Sequence, residues 1–243
     1  MVHGAYTSAW CWAATFMPYF CDRGYDVYAV SLRGHGNSQG RQWLDLWGLA
    51  DYLADLRRAA AAIGRPLTLF GSSMGGLLVQ RWLSAGHAGD AAVTIGSVPP
   101  TGMSHSIAGM LLGSPHGFAQ VLQLAVSGVT NPHFLKLLAE QPMRSGAYDL
   151  HHRHLGRESA RALWEMAWTP MVARCTPACP VLAVHGECDR MIPASTARHL
   201  GDFLGATVMT FEGIGHVPMI ETEWERVAEA IETWLALGER PLD

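Results

Sequence analysis

Lysine is almost absent from this chain: of its 17 basic residues only Lys136 is a lysine, and the rest are arginine. The imbalance reads as codon bias, not as function. Charge of either sign is scarce, at 16% of residues, and the formal net charge is −4. No basic stripe is available for a phosphate backbone, so nucleic acid is excluded as an expected partner. No apolar run reaches membrane-spanning length, and no charged, apolar, small-residue leader opens the sequence. Cysteine is too sparse for a disulfide framework. The five thiols (Cys11, Cys21, Cys175, Cys179 and Cys188) are an odd number in 243 residues, which favours reduced thiols. Cys175 and Cys179 lie four apart, but no second Cys or His pair completes a zinc pattern, so they read as filler. A soluble, cytoplasmic protein is expected, with no metal and no cofactor.

Hydrophobic residues, by contrast, make up 49% of the chain, enough for a sizeable core in one large domain. Apolar, β-rich runs at Tyr25–Leu32, Leu67–Phe70, Ala91–Ile95, Val181–His185 and Thr207–Phe211 predict strands. Between them, Leu46, Leu49, Ala50, Leu53, Leu56, Ala60 and Ile63 recur at helix spacing, as do Trp224, Val227, Ala228, Ile231, Trp234 and Leu235. This alternation predicts an α/β fold: a mostly parallel sheet with helices on both faces. One interval breaks the rhythm. Residues 99–176 show only helix-like clusters, at Ile107–Leu112, Phe118–Val126, Phe134–Leu138 and Ala162–Trp168, and read as a helical insertion. The core is then residues 1–98 and 177–243.

Gly71-Ser72-Ser73-Met74-Gly75 fits the G-x-S-x-G pattern of a nucleophile elbow. Its context gives the pattern weight, because a short buried strand precedes it and a helix follows. The serine therefore falls at the C-terminal edge of the sheet, where ligands bind in open α/β folds. Gly71 and Gly75 relieve the crowding of so sharp a turn. Ser73, not Ser72, holds the central position.

A serine hydroxyl needs a base, and the base an orienting acid. "VLAVHGECDRMIP" (181–193) is a buried strand followed by a loop with Asp189, and "FEGIGHVPMIE" (211–221) is a strand followed by a loop with His216. The order Ser73, Asp189, His216 is the one expected of a single hydrolase family. Glu187 is a rival acid. Asp189 could also be a plain turn residue, and His216 a buried structural histidine.

With these motifs the chain resembles the α/β-hydrolase-fold serine hydrolases of the esterase and lipase type over nearly its whole length. His3-Gly4-Ala5 is similar to that family's oxyanion-loop "HG" motif, and Ser31-Leu32-Arg33-Gly34-His35-Gly36-Asn37-Ser38 to its D-x-R-G-H-G-x-S segment, with Ser31 in place of Asp. The resemblance implies an oxyanion hole made by the backbone N–H groups of Ala5 and Met74. It favours Asp189 over Glu187, since Gly186 and Pro193 bracket the former as in the family. It also implies two antiparallel strands and a full central strand before "HG". Only Met1 and Val2 precede His3 here, so these N-terminal strands are expected to be missing.

The insertion resembles the family's cap. Its Met and Trp residues (Met103, Met110, Met143, Trp164, Met166, Trp168 and Met171) pack the cap by default, with Trp164, Met166 and Trp168 as candidate pocket residues. His105, His116, His133, His151, His152 and His154 crowd the same segment but match no metal pattern and read as polar surface. His3, His35 and His185 read as structural and Cys188 as incidental. The implied activity is hydrolysis of carboxylic esters of small, uncharged, fairly apolar substrates through an acyl-enzyme. The same three residues could instead act on a carbon–carbon bond, lactone or thioester, or form peracids. A non-catalytic, ligand-sensing protein on the same fold is the alternative from another class.

Overall fold

The computed structural model describes residues 1–87, 89–113, 119, 123, 154–168 and 172–238. Among them four strands, β1 (Thr68–Ser72), β2 (Ala91–Ile95), β3 (Val181–Gly186) and β4 (Thr207–Phe211), form a sheet in the order β1-β2-β3-β4, every pair parallel. The helices are α1 (Trp10–Ala13), α2 (Phe16–Cys21), α3 (Leu49–Ile63), α4 (Met74–Ser84), α5 (Ser104–Gly113), α6 (Ala160–Trp168), α7 (Ser195–Leu204) and α8 (Trp224–Leu237). Parallel neighbours need a crossover, and α4 and α7 supply those from β1 to β2 and from β3 to β4.

The strands read as unbroken apolar runs because both faces of the sheet are covered. Successive strand side chains point to opposite faces. Leu69, Ala92, Val181 and Ala183 accordingly pack with Leu53 and Leu56 of α3, Leu77 and Leu78 of α4, and Leu200 and Leu204 of α7. Phe70, Val93, Leu182 and Val184 pack on the other side with Phe16 and Phe20 of α2 and Val227, Ile231 and Trp234 of α8. Helix α3 has defined ends. Asp51 reaches back to accept the Gly48 N–H at 2.9 Å, and Gly64 stops the helix at φ +69°.

One expected strand is not there. Of Tyr25–Leu32 only Val30 pairs, through an isolated parallel bridge to Val2. A strand is held by its ladder, and among the described residues only Met1 and Val2 are seated between this segment and β1. Val2 also bridges Gly71, donates its N–H to Phe70 (2.7 Å) and accepts from Ser72 (3.1 Å), while Met1 accepts from Val30 (3.1 Å). Beyond them a groove of about 550 Å³ runs between residues 24–30 and 65–70, at the N-terminal end of β1.

Between β2 and β3 the elements described are helical. The chain returns to the core there through α6: Met166 accepts the Met103 N–H (2.9 Å), and Glu165 accepts the Leu49 N–H at the start of α3 (2.8 Å). Apart from residues 119 and 123, the clusters expected at 118–126 and 134–138 lie outside the described residues, as do His116, His133, His151, His152, Met143 and Met171.

Candidate active site

Ser73 sits on the turn from β1 into α4 with φ +53° and ψ −114°, a strained setting for a residue with a side chain. The turn is fixed from several sides. The Ser73 N–H donates to the Ile95 carbonyl at 2.9 Å, and its own carbonyl accepts from Leu77 and Val98, each at 3.2 Å. A Cβ on Gly75 would lie 2.6 Å from the His3 carbonyl oxygen, and one on Gly71 would strike the Gly75 carbonyl. Only glycine lets the elbow, the helix and the Val2–His3 backbone come this close.

His216 follows β4 on a loop that Glu221 closes by accepting the Gly215 N–H at 3.0 Å. Asp189 follows β3, and its Oδ1 accepts the N–H groups of Met191 and Ile192, both at 2.8 Å. These two loops meet because Gly186 has no side chain. A Cβ there would run into the carbonyls of Ile214 and Gly215. The result is a line of short contacts: Asp189 Oδ2 lies 2.7 Å from His216 Nδ1, and His216 Nε2 lies 3.0 Å from Ser73 Oγ. A carboxylate only accepts, so Nδ1 carries the proton and Nε2 is free to take one from the serine. Burial alone would push the Asp189 carboxyl up, but the charges and hydrogen bonds of His216 and His185 hold it well below the usual carboxylate range. It is anionic at neutral pH.

Glu187, the rival acid, is exposed and accepts a hydrogen bond from Thr210 Oγ1 at 3.2 Å. His185 donates from Nε2 to the Ile192 carbonyl (2.8 Å) and stands 3.4 Å from Asp189 Oδ2, so it braces the acid loop. His3 braces the opposite side: Nε2 accepts the Leu32 N–H (3.1 Å), which leaves the Nδ1 proton for the Gly4 carbonyl (2.7 Å).

A cavity of about 70 Å³ lies over the serine, lined by Gly4, Ala5, Tyr6, Leu155, Val217 and Met219 among others. Among the described residues, neither a carboxylate nor a basic side chain other than His216 lines it. Ala5 is on its wall. Met74 is fully buried as the first residue of α4, so its N–H lies at a helix N-terminus, where negative charge is favoured. The candidate pocket residues fall elsewhere. Trp164 and Trp168 are 64% and 58% exposed on α6, and Met166 is buried in the core, so none of the three lines this cavity. Their helical spacing marked them as apolar but not which way they face.

Cys11 also lines the cavity, but burial raises its thiol pKa to about 12, which leaves it unreactive. Among the described residues all five cysteines are free, and no group of three or more His, Cys, Asp or Glu is arranged to hold a metal ion. No helix among them is long and apolar enough to cross a membrane. His154 stacks on Trp10, ring centroids 5.4 Å apart. One buried group carried no sequence signal at all. Glu158, next to the start of α6, accepts hydrogen bonds from the Tyr6 N–H and from His35.

A family model described as "Alpha/beta hydrolase family" matches residues 1–230. A monoacylglycerol lipase of Mycolicibacterium smegmatis is 26% identical over 225 residues, covering 87% of this chain and 78% of that protein. Among solved structures, a monoacylglycerol lipase of Paleococcus ferrophilus superposes with a TM-score of 0.71 at 21% identity, covering 98% of this chain and 93% of that one. An esterase of Exiguobacterium antarcticum gives 0.73 at 15% identity, with 97% and 91% covered. At these identities the structural matches speak for the fold.

Proposed function

The chain belongs to the alpha/beta hydrolase family, and from that premise we propose that it hydrolyses carboxylic esters of small, uncharged, fairly apolar substrates through an acyl-enzyme on Ser73. The observation that carries the reading is the line Asp189–His216–Ser73, at 2.7 and 3.0 Å, beneath a cavity that no carboxylate lines among the described residues. The monoacylglycerol lipase relative that is 26% identical supports the reaction class. A monoacylglycerol is itself an uncharged ester with an apolar acyl chain, as the cavity lining would favour.

In the first half-reaction Ser73 Oγ attacks the ester carbonyl while His216 Nε2 takes its proton. Asp189 holds the imidazole in the required tautomer and stabilises the imidazolium that forms. The carbonyl oxygen becomes an oxyanion facing the N–H groups of Ala5 and Met74, each such donor typically worth ~3 kcal/mol. Collapse expels the alcohol, which takes the proton from His216. Water then attacks the acyl-enzyme with His216 again as base, and the acid leaves with Ser73 restored. Leu155 of the insertion lines the cavity over Ser73, as a residue of a cap would.

Turnover of short-chain p-nitrophenyl esters tests the reading, with Ser73→Ala as the control. Wild-type protein should hydrolyse the acetate and butyrate, and the variant should lose about 10⁴-fold or more in kcat. A folded wild type that binds such esters without turning them over would overturn the proposal in favour of a ligand-sensing role.

A further inference from the structure

Glu158 is buried with its side chain fully enclosed, and four hydrogen bonds converge on it. Oε1 accepts from the Tyr52 hydroxyl (2.8 Å) and the Ser159 N–H (2.7 Å); Oε2 accepts from His35 Nε2 (3.0 Å) and the Tyr6 N–H (3.2 Å). His35 identifies itself as an imidazolium, because its other nitrogen faces the Arg33 carbonyl at 3.0 Å and both partners are pure acceptors. An enclosed carboxylate so fully satisfied is held rigidly.

What it holds is the residue after Ala5. Tyr6 has φ +64°, and a bulky residue keeps so strained a conformation only where its surroundings over-determine it. Both of its peptide groups are gripped by the same segment: Glu158 takes its N–H, and the Gly156 N–H donates to its carbonyl at 2.7 Å. The Tyr6 N–H lies on the Ala5–Tyr6 peptide, separated from the Ala5 N–H only by the rotations at Ala5. Gly4, on the other side, packs against Ser73: a Cβ there would lie 3.1 Å from the serine Cβ.

We propose that Glu158 is a positioning residue for ester hydrolysis: bridged to His35 and Tyr52, its carboxylate clamps the Tyr6 N–H and so aims the Ala5 N–H at the oxyanion beside Ser73. The inference rests on the esterase reading above. It gives the segment returning from the insertion a part in transition-state stabilisation, although Glu158 touches no reacting atom. A clamp of this kind acts on the oxyanion more than on the ground-state ester, so its loss falls on kcat and spares KM.

The test compares Glu158→Ala and Glu158→Gln with wild type, using p-nitrophenyl butyrate and rates normalised to sites titrated with a fluorophosphonate. A trifluoromethyl ketone, whose adduct with Ser73 bears the oxyanion, is the second probe. Glu158→Ala should lower kcat per site about 10- to 100-fold, less than outright deletion of a donor, with KM within about threefold. Affinity for the ketone should fall by a similar factor. Glu158→Gln keeps an acceptor for Tyr6 but loses the charge that holds His35, and should fall between the two. A purely structural role would reduce the number of titratable sites or the melting temperature while leaving kcat per site and ketone affinity at wild-type values; that result overturns the proposal. If Glu158→Ala does not fold, Glu158→Gln decides alone, wild-type values for both readouts again overturning it. Failure of the wild type to form any Ser73 adduct would overturn the esterase reading itself, so the two failures are distinct.

Discussion

The Asp189–His216 side of the candidate site and the side that carries Ala5 are fastened in different ways. Asp189 is held by N–H groups two and three residues on, and the His216 loop is closed by Glu221, six residues from Gly215. Each of these loops closes on itself at the end of a strand. On the other side, Glu158 grips Tyr6, His35 and Tyr52 across 152, 123 and 106 residues of chain. A self-closed loop depends on its own sequence and its strand. A long-range clamp depends on the insertion being seated, so damage far away in the chain can reach the site through it.

The largest effect should come from the self-closed side. Asp189→Asn keeps the shape of the loop but offers His216 an amide where a carboxylate fixed the tautomer, and kcat should drop about 10⁴-fold. Glu187→Gln, on an exposed side chain bonded to Thr210, should change kcat by less than about twofold. Steady-state kinetics on a nitrophenyl ester checks both. A reversed ranking would move the acid by two positions.

The clamped side should show itself in stability against pH. His3 and His35, with rings 5.0 Å apart, are shifted in opposite directions. Burial, reinforced by the neighbouring His35, lowers the His3 pKa to about 3. Between about 3 and 6.5 the unfolded chain therefore binds a proton at this position that the folded one refuses, and stability falls as pH falls through that window. Burial works against charge on His35 too, and Arg41 adds to it, but Glu158 outweighs them and raises its pKa above the usual value. That stabilisation is complete below the unfolded value and is lost as pH rises through the raised one. Urea midpoints measured from pH 4 to 9 should peak near neutrality. His3→Gln should flatten the acid limb, by an amount approaching ~3 kcal/mol at pH 4, and His35→Gln should flatten the alkaline limb. Equal slopes in all three proteins would remove the opposed charge states.

The same contrast governs how much could be read in the sequence. Motifs that lie on one strand and its following loop carry their geometry with them, so Ser73, Asp189 and His216 were legible, as were the runs that became β1 to β4. Tyr25–Leu32 reads as a strand by composition, but a strand also needs a neighbour, and among the described residues only Met1 and Val2 provide one. Trp164 and Trp168 are apolar at helix spacing, yet the direction each faces depends on where α6 docks. Glu158 was invisible for the same reason. Nothing local distinguishes a glutamate that will be buried against residues more than a hundred positions away.

The smallest expected effect concerns Ser72, the neighbour that shares the elbow. It is 3% exposed, closes β1 opposite Ile95, and its N–H is committed to the Val2 carbonyl at 3.1 Å. The imidazole of His216 is aimed at the next residue, Ser73, whose positive φ turns it out of the strand. Removing the Ser72 hydroxyl leaves every backbone bond of the elbow in place and takes no acceptor from His216. Ser72→Ala should therefore keep fluorophosphonate labelling and hold kcat within about threefold of wild type, the range of a small change away from the reacting atoms. Mass mapping of the adduct to Ser73 in both proteins is the expected result. An adduct on Ser72, or loss of labelling in Ser72→Ala with the fold intact, would move the nucleophile by one residue and break the contrast, since the strand itself would then supply the reacting group.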